Sequence, residues 1–149
     1  MKEPGIYHLL AFIYIAFAKE SNGTLAEAEE REIKTIIARW MNVNYRNINE
    51  YESVMSYSLN WFNSIDEKKR KNELIKVMTK LANTDGVDLE MKKQILSEIR
   101  DISVSDGKYD KYERNFHDRL ALTFGFDIDA SYNDTKPRIG FKVDKNKKD

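Results

Sequence analysis

Ile6-Tyr-His-Leu-Leu-Ala-Phe-Ile-Tyr-Ile-Ala-Phe-Ala18 runs for 13 residues without a charge. As a helix it reaches about 20 Å, short of the ~30 Å hydrocarbon core of a bilayer. It ends in Ala16-Phe17-Ala18, the small-residue spacing of a signal-peptide cleavage site. Export also needs a basic cluster ahead of the apolar run, and Lys2 and Glu3 stand there in balance instead. A helix apolar on every side must be enclosed by other helices. We therefore expect a buried first helix, with Pro4 near its first turn, and a remainder of the chain that supplies the enclosure.

The following segments carry the periods such enclosing helices need. Ile33, Ile36, Ile37, Trp40 and Met41 fall at i, i+3, i+4, i+7 and i+8, and Leu74, Val77, Met78, Leu81 and Ala82 repeat that spacing. Tyr51, Val54, Met55, Leu59 and Phe62 form a third face, Met91, Ile95, Ile99 and Ile102 a fourth, and Tyr112, Phe116 and Leu120 a fifth. Thr24 to Glu27 and Ser64 to Glu67 have capping-box spacing, while Asn47 with Glu50 and Asp110 with Glu113 are looser forms of it. Gly23, Gly86, Gly107 and Gly125 each follow a helical stretch and suit the left-handed residue that closes it. The expected fold is all-α, a compact bundle of about six helices over residues 1–125. Residues 126–149 form a basic extension in which Arg138 to Asp144 alternates like a short strand or extended arm.

Composition narrows the function. The chain has 149 residues, 25 basic and 25 acidic side chains, and no cysteine. That length suits one domain able to bury a core unaided. The absence of cysteine excludes disulfides, thiolate zinc sites and thiol chemistry. Zero net charge removes the electrostatic case for a nucleic-acid binder. From Lys136 to the end, six basic residues outweigh two acidic ones, a tail that suits an acidic partner or peripheral contact with an anionic membrane surface, or else simple solvation. Asp66-Glu-Lys-Lys-Arg-Lys71 reads as the solvated start of an amphipathic helix. Tyr7, Tyr14, Tyr51 and Tyr57 are candidates for a surface that receives another helix or for a polar lid over the core, although core packing accounts for most of the aromatics.

A turn recurs three times: Ala18-Lys-Glu-Ser-Asn-Gly23, Leu81-Ala-Asn-Thr-Asp-Gly86 and Ile102-Ser-Val-Ser-Asp-Gly107, each followed within a few residues by an acidic helix start. The glycines stand 63 and 21 residues apart, which gives helix plus turn a period of about 21. The calcium loop of an EF-hand needs oxygen ligands at positions 1, 3, 5 and 12. With glycine at position 6, position 1 is Ala18, Leu81 or Ile102, position 12 of the second copy is Lys92, and position 3 of the third is Val104. These turns are not EF-hands.

The apolar helix running into a glycine turn (Leu9 to Gly23), followed by Leu81-Ala-Asn-Thr-Asp-Gly86 and Ser105-Asp-Gly-Lys-Tyr-Asp-Lys-Tyr-Glu-Arg114, resembles the tellurite-resistance TerB-like family of bacterial proteins over residues 6–124. Two positions depart from a regular motif: Asn22 replaces the aspartate of the other turns, and Asp88 stands where they have Leu25 and Tyr109. The resemblance implies antiparallel helices and a non-enzymatic, cytoplasmic accessory or binding role in a bacterial stress response. It also implies metal-binding or scaffold function and a protein partner. The family's relation to J-domain co-chaperones does not carry over, because no His-Pro-Asp tripeptide occurs.

The candidate metal ligands are Asp85, Asp88, Asp106, Asp110 and Glu113, carboxylates beside the turns where calcium, magnesium or manganese finds oxygen. Each also has an ordinary explanation as turn, cap or helix-start chemistry. The alternative is a protein-interaction module with no metal site. His8 and His117 lack a partner at ligand spacing, and neither a nucleophile elbow nor a phosphate-binding glycine loop occurs, so no catalytic residue or organic cofactor is expected.

Overall fold

The computed structural model describes residues 4–22, 27–104, 111–128 and 139–143. Six helices follow one another: α1 (Ile6–Asn22), α2 (Glu27–Met41), α3 (Ile48–Ser64), α4 (Glu67–Ala82), α5 (Leu89–Val104) and α6 (Lys111–Thr123). Their starts are spaced 19 to 22 residues apart, close to the 21-residue period of the turns. The all-helical expectation holds. A short antiparallel pair follows the bundle, β1 (Phe126–Ile128) with β2 (Ile139–Val143), in which Phe126 faces Val143. Phe126 is buried with the helical core, so the packed unit extends just past residue 125.

Every residue of α1 from Leu9 to Ala18 is buried, and α1 packs against all five other helices. An uninterrupted apolar circumference forces this, because no face of such a helix can be left to water without cost. Phe12 meets Trp61 and Phe62 of α3 at ring-centroid distances of 4.3 and 5.6 Å, and Phe17 meets Phe116 of α6 edge-on at 5.0 Å. The enclosing helices turn in the stripes their sequences encode: Ile33, Ile36, Ile37 and Met41 from α2, Val54 and Phe62 from α3, Leu74, Val77, Met78 and Leu81 from α4, Ile95, Ile99 and Ile102 from α5, and Phe116 and Leu120 from α6. Tyr112, expected on the α6 stripe, is instead 47% exposed.

Helix ends follow local chemistry, and some differ from the expected devices. Helix α2 closes on Asn42, at φ 50°, in a Schellman arrangement: Asn42 N donates to Arg39 O and Val43 N to Ala38 O. Ser64 does not cap α4. It belongs to α3, where its hydroxyl donates to Trp61 O, and Asp66 is the cap, its carboxylate accepting from Lys68 N at 3.2 Å. Asn47 precedes α3 without a side-chain cap bond, because its amide spans the preceding turn, donating to Met41 O and accepting from Asn44 N. Gly125 closes α6 at positive φ as expected, whereas Gly86, also at positive φ, lies three residues beyond Asn83, the C-cap of α4, and shapes the α4–α5 turn instead of closing the helix. Gly23, Thr24, Gly107 and Asp110 lie outside the described residues.

Two halves of the bundle share one register. A constant shift of 84 residues carries α1–α2 onto α5–α6: the starts of α2 and α6 correspond, and the buried apolar residues of α5 fall on buried residues of α1. Phe12 matches Leu96, Ile15 matches Ile99, Ala18 matches Ile102, Ile36 matches Leu120 and Ile37 matches Ala121. The two halves pack on each other through α1 with α5, α2 with α5 and α1 with α6. In sequence the same shift carries Gly23 onto Gly107, while the turn at Gly86 joins α4 to α5.

Candidate functional site

Of the five acidic candidates, Asp106 and Asp110 lie outside the described residues. The other three do not gather. Asp85 and Asp88 are exposed, whereas Glu113 is buried at the start of α6. Asp88 Oδ1 accepts from Met91 N at 2.9 Å, the reach of a residue capping α5. Glu113 corresponds in register to Glu29, also buried in the first turn of its helix, where an acidic group meets the positive end of the backbone dipole. Among the described residues no group of three or more His, Asp or Glu side chains is placed to hold a metal ion.

The core does hold a polar cluster that the periodicities miss. Glu98 on α5, 2% exposed, accepts at Oε1 from the Tyr14 hydroxyl of α1 and from Trp40 Nε1 of α2 at 2.7 Å, and at Oε2 from Gln94 Nε2 at 3.0 Å. Burial, reinforced by the adjacent Glu98 carboxylate, raises the Tyr14 hydroxyl well above the ordinary tyrosine range, which keeps it a donor. Three donors from three helices satisfy a carboxylate that would be very costly to bury alone. The available signal was a charge lying between Ile95 and Ile99 on an apolar stripe. Oε1 is engaged inside the bundle, where it ties α5 to α1 and α2, while Oε2 meets Gln94 at the exposed edge of α5. Tyr14, expected as a possible surface tyrosine, belongs here.

His8 and His117 each have partners within the bundle. His8 Nδ1 accepts from Gly5 N, and its ring meets Tyr57 edge-on at 4.9 Å. His117 is 1% exposed with Nδ1 3.2 Å from Asp118 Oδ1, and burial lowers its pKa despite that carboxylate.

Among the grooves lined by described residues, two have apolar walls. One, of about 400 Å³ between α2 and α3, has Ile15, Ile33, Met55 and Leu59 among its walls. Its Glu30 and Lys34 pair with each other at 3.0 Å, and Tyr51 donates to Lys34 O. The other, of about 330 Å³, lies between α4 and α6. Ala16, Phe62, Leu74 and Phe116 floor it, Ile75 and Tyr112 stand on its lips, and among the described residues its lining carries Arg70, Lys71 and Arg119 and no acidic side chain. Arg70 is held in place: Nε donates to Ile65 O at 3.2 Å and the guanidinium lies 4.7 Å from the Phe62 ring centroid. Among the described residues none of these three cations is paired with a carboxylate, unlike Arg31, Lys34 and Lys93, which lie beside glutamates at 3.0, 3.0 and 3.6 Å. The basic run at the start of α4, expected as a solvated face, thus contributes two of its members to an apolar groove.

Comparison with family models, curated proteins and solved structures finds no match to this chain.

Proposed function

We propose that this chain is a non-enzymatic binding module, of the kind its TerB-like resemblance implies, acting with a protein partner in the cytoplasm as part of a bacterial stress response. The observation that carries the reading is the α4–α6 groove, which combines an apolar floor, two exposed apolar lips and three cations without carboxylate partners. Cations without a carboxylate partner beside accessible apolar surface offer the mixed polar and apolar chemistry of an interface. The turn carboxylates support it from the other side, since Asp88 is engaged as a helix cap. No helix among the described residues is long and apolar enough to cross a membrane, which is compatible with the proposed compartment.

The test sets this reading against a divalent cation at the acidic turns. The full chain is titrated with calcium, magnesium and manganese while amide resonances and thermal unfolding are followed, and partners are captured by crosslinking in bacterial lysate and mapped by hydrogen exchange. A module gives no saturable response at Gly86 and Asp88, and a captured protein protects a defined face. Saturable shifts at those residues with a raised Tm establish the cation site instead, and absence of any captured protein removes the module.

A further inference from the structure

The α4–α6 groove has a chemistry specific enough to name its occupant, an inference that rests on the binding-module reading. We propose that it receives an acidic amphipathic helix of a partner protein, with apolar side chains seated between α4 and α6 and carboxylates on both flanks of that stripe. Arg70 and Lys71 line the α4 wall, with Arg70 lying over Phe62, and Arg119 lines the α6 wall. A segment that matches both walls must carry negative charge on either side of an apolar strip, and a helix offers that pattern with anchors at i, i+3 or i+4, and i+7.

Charge and shape both narrow the choice. The chain is neutral overall with 25 residues of each sign, so an attraction for anions here is local to the groove. The residues from Lys136 onward carry six basic and two acidic side chains, and a tail of that sign is repelled from three cations. A flat bilayer meets protruding side chains, whereas this floor is recessed and made partly by Ala16 of the central helix. At about 330 Å³ the groove is at the small end of the range that encloses small-molecule ligands, which suits side-chain anchors better than an engulfed cofactor. Arg70, held over Phe62 by its backbone bond, is already ordered before anything binds.

The probe is a fluorescein-labelled, end-blocked peptide of roughly 16 residues, about four helical turns, with leucines along one stripe and glutamates on both flanks. A glutamine counterpart and a lysine counterpart accompany it. The full chain is compared with the double variant Lys71→Glu/Arg119→Glu, both surface positions whose substitution is checked by circular dichroism and Tm. We expect saturable anisotropy that weakens between about 0.05 and 0.3 M salt, amide shifts centred on Ile75, Asn115 and Phe116, and a loss of about tenfold or more with the glutamine peptide or the double variant. The lysine peptide should regain affinity for the double variant. Equal binding of the glutamine peptide, indifference to the charge reversal, shifts mapping elsewhere, or no binding up to about 1 mM overturns the proposal. So does binding to phosphatidylserine vesicles without binding to the peptide, which makes the groove a lipid site. If the peptide fails while a captured protein protects another face, the groove assignment falls and the module stands; if no protein is captured either, both fall.

Discussion

Tyr14 and Glu98 occupy the same register in the two halves of the bundle, 84 residues apart, and are hydrogen-bonded to each other. One half supplies the donor and the other the acceptor, so a position that is equivalent in the fold differs in chemistry. Trp40 extends the contact to α2. The buried carboxylate is thus one point where both halves meet, and its removal tests how strongly they depend on each other.

Glu98→Ala strands the Tyr14 hydroxyl and the Trp40 indole N–H in the core, and we expect a loss of about 3–5 kcal/mol in urea unfolding. Tyr14→Phe removes one of three donors and should cost about 1–3 kcal/mol. The double variant should lose less than the sum of the two, because the hydroxyl left unpaired by the first change is absent in the second. Additive losses remove the coupling.

Acid should weaken the fold through His117. Burial holds its pKa below the ordinary histidine range, so the folded state favours the neutral ring and the unfolded state takes up the proton first. The stabilisation is complete above about pH 6.5 and declines as pH falls through the folded-state value. His8 is shifted in the same direction by partial burial and contributes a common background. His117→Leu, which restores the apolar character of Ile33 at the matching position, should therefore flatten the dependence of the urea midpoint on pH between about 7 and 5. An unchanged slope assigns the acid sensitivity elsewhere.

The turn carboxylates separate by role. Asp88→Ala removes the bond to Met91 N and should cost about 1 kcal/mol. Asp85→Ala, at an exposed turn position, should change stability by less than about 0.5 kcal/mol. Gly86→Ala meets no atom within 4 Å of the added carbon, but its φ of 90° is strained for any side chain, so a loss of about 1–2 kcal/mol is expected from the backbone alone. Denaturation with and without millimolar magnesium checks all three, and ion-dependent differences point back to a cation.

Phe12 lies between α1 and the aromatic pair Trp61 and Phe62. Its truncation to Ala should cost about 3–5 kcal/mol, a large part of what a domain of this size has in hand.

Apolar spacing carried most of the fold in readable form. The charge-free run of α1 demanded a central position, and the stripes of α2, α4 and α5 face it as their periods require. Less legible were features set by partners distant in sequence. Glu98 and Glu29 look like solvent charges until the helices that bury them are in place, and the cap of α4 moved from Ser64 to Asp66 because α3 runs on through Ser64. The groove depends on Arg70 and Lys71 of α4 facing Arg119 of α6, about 50 residues away. A local charge run records its own sign but not the surface that tertiary packing sets beside it.

The central helix is also the first of the six to leave the ribosome, and the last wall of its enclosure, α6, ends about 100 residues later. At about 5–20 residues per second the nascent chain carries the unshielded segment Leu9 to Ala18 for about 5–20 s. Its burial must wait for translation to deliver the remaining helices. Yield in the cell should thus respond to the supply of holdase chaperones and to the pace of the codons ahead of α6, even for variants whose equilibrium stability is unchanged.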